Sequence, residues 1–222
     1  MKPEEPDKFK ELYRLLNIVA KARYRAHNRL VLHATFAQFA LTFLAIGLII
    51  IPLMALGGLQ FALQKAHVDI VQIAFAIVLL AYSLLLSTSR FEARAEKMQA
   101  CGLILSRLLR EVKPLKDGEP APNAHSYDDL TGRYYDCLEK FDNHTELDYY
   151  SVMMDISVRE GPPHRNNRGL GAYIGSLIGY YWRLNTRRAY VYFVRSLIFG
   201  HYFLAVAAMY ALIYWLIRSS VR

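Results

Sequence analysis

Seven histidines and two cysteines are the side chains best suited to hold a metal or attack an electrophile. Their spacing supports neither use. His27, His33, His67, His125, His144, His164 and His201 form no HExxH pair and no pair four residues apart, and Cys101 and Cys137 are not joined in a CxxC. A metal site needs ligands clustered on one helix face or in one loop. No GxSxG, Walker loop or GxGxxG is present either. The sequence therefore predicts no catalytic residue, no metal and no cofactor. One polar cluster remains, Asn143, His144 and Asp148. Asn143 can cap a helix that starts just after it, and Asp148 would then lie near that helix's positive end. His144 is placed to bond to Asp148. A turn of this kind can also receive a signal or a partner. Asn143-His144-Thr145 also spells a glycosylation sequon, read as coincidence because the topology below puts it in the cytoplasm.

The other polar residues of interest sit inside apolar stretches. Thr35, Gln38 and Thr42 fall on one face of a helix, and Gln72, Ser83 and Ser87 dot another. Several copies of the chain could line a pore with them. Their ordinary use is to bond back to their own helix or to bridge helices. Proton-coupled transporters and intramembrane enzymes carry ionisable groups deep in their spans. Here the acidic residue nearest a span is Asp69, at its edge.

The elements that hold these residues follow from where charge is missing. Residues 31–64, 70–89 and 196–217 contain no Asp, Glu, Lys or Arg. About 20 apolar residues suffice to cross a bilayer as a helix. Pro52 and Gly57-Gly58 divide the first block, which predicts spans at about 31–51 and 69–88 joined by a short external connection. The third block, 196–217, predicts a further span. The whole-chain figures, 54% hydrophobic and a net charge of +8, come from these blocks and their flanks. That composition excludes a disordered chain, and two cysteines exclude a disulfide framework.

Lys and Arg set the orientation. Residues 1–30 carry 8, the connection from 52 to 69 carries 1, residues 90–195 carry 16, and the tail after Ile217 carries 2. This predicts a cytoplasmic N-terminus, a cytoplasmic 90–195 region and an external hairpin tip. Residues 1–30 lack an early apolar core, so the first span is expected to be an uncleaved anchor. The charge is explained by topology, and no direct nucleic-acid binding is expected.

Outside the spans, Leu12, Leu15, Leu16, Val19, Ala22 and Ala26 mark a basic N-terminal helix running into the first span. Phe91, Ala95, Met98, Gly102, Leu105, Leu109 and Val112 mark a heptad seam. It predicts one rod from Asp69 to Lys113, ended by Pro114. The seam, with Met98, Leu105 and Leu109 at its centre, can pair with the N-terminal helix or with other subunits. Residues 114–125 read as a linker. Ser126 to Asp129 resembles a capping box opening a helix through Phe141, and a second short helix follows the Asn143 turn. Residues 161–169 read as a loop. Residues 170–182, with Gly171, Gly175 and Gly179 in register, predict a short surface-lying or tightly packed helix.

The fold class is thus an all-α integral membrane protein. It divides into a cytoplasmic basic helix (1–30), a transmembrane hairpin (31–89), a cytoplasmic helical region (90–195), a third span (196–217) and a short tail (218–222).

In this setting several residues resemble the SLATT group, bacterial two-transmembrane effector domains associated with nucleotide-sensing and nucleotide-synthesising defence genes. The likeness is nearest to the subgroup found with reverse transcriptases. It rests on Lys21-Ala22-Arg23-Tyr24 with Arg29-Leu30, on Ser83 and Ser87 with Ala95-Glu96-Lys97 and Cys101-Gly102, and on Leu108-Leu109-Arg110-Glu111. Its most telling piece is Tyr135 through Asn143-His144 to Asp148-Tyr149. The resemblance implies a homo-oligomeric effector of anti-phage defence in the bacterial inner membrane. It would be triggered by a neighbour-encoded nucleotidyltransferase or reverse transcriptase, or by their nucleotide product, and would open a pore or disrupt the membrane. The other reading is a non-catalytic membrane scaffold that recruits a cytoplasmic partner.

Overall fold

The computed structural model describes residues 5–58, 65–118, 126–164 and 170–220. Parts of the expected hairpin tip (59–64), linker (119–125) and loop (165–169) lie outside the described residues, as does His125. The protein is all-helical: α1 Glu5–Leu56, α2 Lys65–Thr88, α3 Phe91–Asp117, α4 Tyr127–Lys140, α5 Glu146–Glu160 and α6 Leu170–Ser220. Three stretches, within α1, α2 and α6, are long and apolar enough to cross a membrane. The helices form two compact units. One comprises Met1–Leu30 with Glu92–Val194, the other Val31–Phe91 with Arg195–Arg222.

Four element boundaries differ from the sequence expectation. Pro52 does not end α1, which runs on to Leu56. In an apolar span a proline costs one backbone bond, and neighbouring turns absorb it. The stop comes at Gly57 and Gly58, where Gly58 takes a φ of 82° that only glycine adopts readily. Pro114 likewise sits inside α3, because Leu115 packs on the core and Lys116 lies 4.5 Å over the Tyr13 ring. Gly118, with a φ of 77°, is the actual stop.

The expected single rod from Asp69 to Lys113 is broken at Ser89 and Arg90, where Arg90 has a φ of 45°. Thr88 Oγ1 and Ser89 Oγ both donate to the Leu85 carbonyl, at 2.9 and 3.0 Å. These side chains compete with the backbone for the acceptor that a continuing helix would use. Conversely, the expected short helix at 170–182 and the third span are one unbroken α6. The joining stretch, Arg183 to Arg195, holds no glycine or proline that would stop it.

The first unit is built around the N-terminal part of α1. Phe9, Leu12, Leu16 and Ala20 pack with Cys101, Leu105, Leu108 and Val112 of α3 and with Leu130, Tyr134 and Cys137 of α4. A second face of α1, Ile18 and Ala22, packs on Val152 of α5. Glu111 of α3 and Arg133 of α4 are joined by two hydrogen bonds of 2.6 and 3.0 Å. The seam residues therefore pack inside the chain: Met98 and Leu105 are buried and Leu109 is partly buried against the same core. Their assignment as an oligomer seam gives way to intrachain packing, because the apolar face of α3 is already covered by α1 and α4.

In the second unit α1 presents small residues to α6. Ala37 and Ala40 pack around Tyr202, and Leu44 and Ile51 meet Met209 and Ile213. At Gly47 an added Cβ would come within 2.7 Å of Met209 Cγ. A backbone-close contact of this kind leaves no room for a branched side chain. Gly47→Val is expected to lower stability by about 1–3 kcal/mol, the range for overpacking. Thermal unfolding of the purified protein in detergent checks this, and an unchanged midpoint would contradict the packing described.

Candidate functional site

Buried arginines are the most demanding groups in the first unit, because five N–H donors must find acceptors away from water. Arg23 of α1 has 0% of its surface exposed. Its Nη1 donates to the Asp142 carbonyl and lies 3.4 Å from Met98 Sδ, and its Nη2 lies 3.5 Å from Asn143 Oδ1. Asp142 lies two residues past Lys140, the last residue of α4, so the cation is met by the connection between α4 and α5. Its Nε has no partner among the described residues.

Arg29, less than two turns further along α1, forms a fork with Asp148: Nε to Oδ1 at 3.0 Å and Nη2 to Oδ2 at 2.9 Å. Asp148 is fully buried. The same Oδ2 accepts the Thr145 hydroxyl at 2.7 Å and the Thr145 backbone N–H at 3.2 Å; the latter, with the Thr145 side chain accepting from the Asp148 N–H, makes the capping box that starts α5. One carboxylate thus closes a helix and neutralises an arginine. Nearby, His27 Nδ1 lies 3.0 Å from the Ala95 carbonyl. Tyr24 lies over Gly102, where a Cβ would meet its ring at 3.2 Å, and its hydroxyl is 3.3 Å from Ser106 Oγ. Arg25 pairs with Asp155 of α5.

The turn between α4 and α5 differs from the sequence reading in two respects. The cap of α5 is Thr145, not Asn143, whose side chain faces Arg23 instead. The Thr-x-x-Asp pattern at 145–148 was the signal for it. His144 does not bond to Asp148. Its ring stacks near Tyr149, 6.5 Å between centroids, and its Nδ1 is buried without a partner among the described residues. Burial, and then the charge of Arg23, hold the His144 pKa below its usual value, with Asp148 opposing them. Asn143, His144, Thr145, Glu146, Tyr149 and Tyr150 line an open cavity of about 320 Å³.

Of the motif residues, Arg23, Tyr24, Arg29, Ala95, Asn143, His144 and Asp148 are gathered here. Glu96 is exposed, and Tyr135 is 57% exposed beside Tyr134, outside the network. Cys101 and Cys137, 36 positions apart in sequence, are brought to 3.5 Å as free buried thiols. Burial pushes Cys101 up to about 12, so it is a protonated packing group and no nucleophile. In the second unit Thr35, Thr42 and Ser83 donate to carbonyls of their own helices, at 3.0, 2.9 and 2.8 Å. Thr35, Gln38, Thr42 and Ser87 are exposed, and Gln72 is half-buried.

His33 escaped the sequence reading because only Asp, Glu, Lys and Arg defined the apolar blocks. It is buried within the span, stacked between Phe91 (5.0 Å) and Phe199 (4.4 Å), with Nδ1 3.3 Å from the Tyr202 hydroxyl.

The sequence lies within a known family. Residues 5–218 match the family described as SMODS and SLOG-associating 2TM effector domain family 5. The chain belongs to this SLATT family. All the network residues fall inside the matched range. No curated protein and no solved structure is matched by the chain. The family description names two transmembrane segments, and α6 supplies a third helix of sufficient length and apolarity. The SLATT chain is thus a membrane protein of an effector-domain family whose description associates it with SMODS and SLOG.

Two outcomes follow. Asp148→Ala strands Arg29 and uncaps α5, so it is expected to cost about 3–5 kcal/mol, as for other broken buried pairs. Chemical unfolding of the detergent-solubilised protein measures it. For His144, the lowered folded-state pKa means that the unfolded chain binds the proton more tightly. Its stabilising contribution is complete above the unfolded pKa of about 6.5 and is lost as pH falls through the lower folded value. Between pH 7.5 and 5 the wild type should lose more thermal stability than His144→Gln; equal losses would contradict this.

Proposed function

We propose that this SLATT chain is the membrane-acting component of a bacterial anti-phage defence system. On a signal made by a partner protein, copies assemble in the inner membrane and open a pore or disrupt the bilayer, halting the infected cell. The observation that carries the reading is the outward placement of uncharged polar side chains. Thr35, Gln38 and Thr42 follow one another along an exposed face of α1, away from the Ala37–Ala40 face that packs on α6. One chain encloses nothing with such a stripe, whereas a ring of chains lines a passage with hydroxyl and amide groups. The blocks 31–64, 70–89 and 196–217 hold no Asp, Glu, Lys or Arg, which leaves His33 and His201 as the only imidazoles a proton relay through them would have. The Lys and Arg distribution favours a cytoplasmic N-terminus.

The signal is best received in the first unit. The α4–α5 turn and its cavity are tied to α1 through Arg23 and Arg29, so a ligand or partner that moves the turn acts on the helix carrying the polar stripe. The source is a neighbour-encoded nucleotidyltransferase or reverse transcriptase, or its nucleotide product. The role is binding and permeation rather than catalysis.

Expression with its gene neighbours under phage challenge should depolarise cells, read with a potential-sensitive dye. Replacing Thr35 and Thr42 together by leucine should slow depolarisation without lowering the amount of protein in the membrane. A constant membrane potential throughout infection would overturn the permeation reading. A stoichiometric soluble partner recovered with no conductance would favour a scaffold.

A further inference from the structure

The N-terminal part of α6 has one face that packs and one that does not. Leu184 and Val191 are buried in the first unit, and Tyr180 donates to the Ser157 carbonyl at 2.8 Å. At 100° per residue these positions share one side of the helix. The opposite side carries Ile174, Ile178 and Trp182, with Tyr181 at its edge. Ile178 is 64%, Tyr181 52% and Trp182 71% exposed. Flanking them on the Trp182 side lie Gly171, Gly175 and Gly179, and an added Cβ at any of the three would meet nothing within 4 Å. The face forms a shallow apolar groove lined also by Leu177, Asn185 and Ala189. None of the side chains lining the groove is Asp, Glu, Lys or Arg, and Arg188 stands at its edge.

We infer that this face of α6 is where two copies of the chain pair, α6 against α6. The inference rests on the assembly reading above and supplies the surface that α3, already covered, does not. An aromatic side chain covers about 150–250 Å², so Trp182 and Tyr181 at these exposures offer on the order of 250 Å². With the isoleucines, Leu177 and the open glycine ridge, the face reaches roughly 500 Å² per copy. That is at the upper end of what a soluble monomer leaves exposed, and two such faces reach the ~1,000 Å² that a specific interface needs. A second copy fits better than lipid. A lipid-binding face has no use for three glycines in helical register, whereas two helices use such a ridge to bring their backbones together. The absence of charge in the groove lets the face meet itself across a twofold axis without repulsion.

The test uses the full chain in native membranes. Ile178→Cys and Trp182→Cys should give a disulfide-linked dimer on mild oxidation with copper phenanthroline. Tyr135→Cys, exposed on α4 away from this face, should not. Gly175→Ile has room in the single chain, so it should keep the wild-type melting temperature. Its pairing should weaken about tenfold, equivalent to about 1.4 kcal/mol, by native mass spectrometry across a dilution series. Equal cross-linking at all three cysteines, or unchanged pairing in Gly175→Ile, would overturn the assignment. So would a Trp182→Cys thiol shielded from a soluble maleimide without any cross-link, since lipid would then cover the face. Specific cross-links in cells that never depolarise would leave the pairing intact and remove the pore. Depolarisation that survives in an unpaired Gly175→Ile would do the reverse.

Discussion

A guanidinium drawn out of water must find acceptors for its donors, and α1 brings two into the first unit, Arg23 fully buried and Arg29 partly so. Arg29 is met by a carboxylate, Arg23 by a carbonyl between α4 and α5, an amide oxygen and a sulfur. The acceptors come from α3 and from both sides of the α4–α5 turn. Fixing the two arginines therefore fixes where α4 stops and where α5 starts. Asp148 joins the two roles, because the carboxylate that caps α5 is the one that answers Arg29. Isolated buried ion pairs are weak contributors to net stability, but they penalise every alternative arrangement in which one partner is left alone. The apolar contacts of α1 with α3, α4 and α5 supply the general cohesion, and the arginines select one register from the many that apolar contact would allow.

The second unit uses the opposite chemistry. Its close contacts are made by Ala37, Ala40 and Gly47, residues chosen for what they lack, and dispersion replaces charge. His33 is the exception, an imidazole stacked between two phenyl rings and bonded to a tyrosine hydroxyl. α1 belongs to both units. One end is fixed by arginine and the other presents Thr35, Gln38 and Thr42 outward, so a single helix carries both sets of side chains.

The all-helical class and the three apolar helices were legible because charge is a strong local signal. A run without Asp, Glu, Lys or Arg needs no neighbour to be recognised. Helix ends were less legible. Pro52 and Pro114 were read as stops, yet each helix ran on to a glycine, because packing of Leu115 and the tolerance of apolar spans outweighed the lost bond. The break at Arg90 was hidden in two small hydroxyl residues, Thr88 and Ser89, whose effect depends on which carbonyl they choose.

For the site, the sequence by itself singled out the Arg-Tyr pair at 23–24, Arg29 and the Asn143–Asp148 segment by type and order. It also determined that the three apolar blocks hold no Asp, Glu, Lys or Arg. Only the tertiary structure decided the partners. Asn143 faces Arg23 rather than capping α5, Thr145 takes the cap, and Asp148 turns to Arg29 instead of His144, since burial makes an arginine outcompete a neutral imidazole for a carboxylate. The structure likewise decided that the α3 seam closes within the chain. A heptad pattern specifies a face that must be covered, and only the folded arrangement of α1 and α4 settles what covers it.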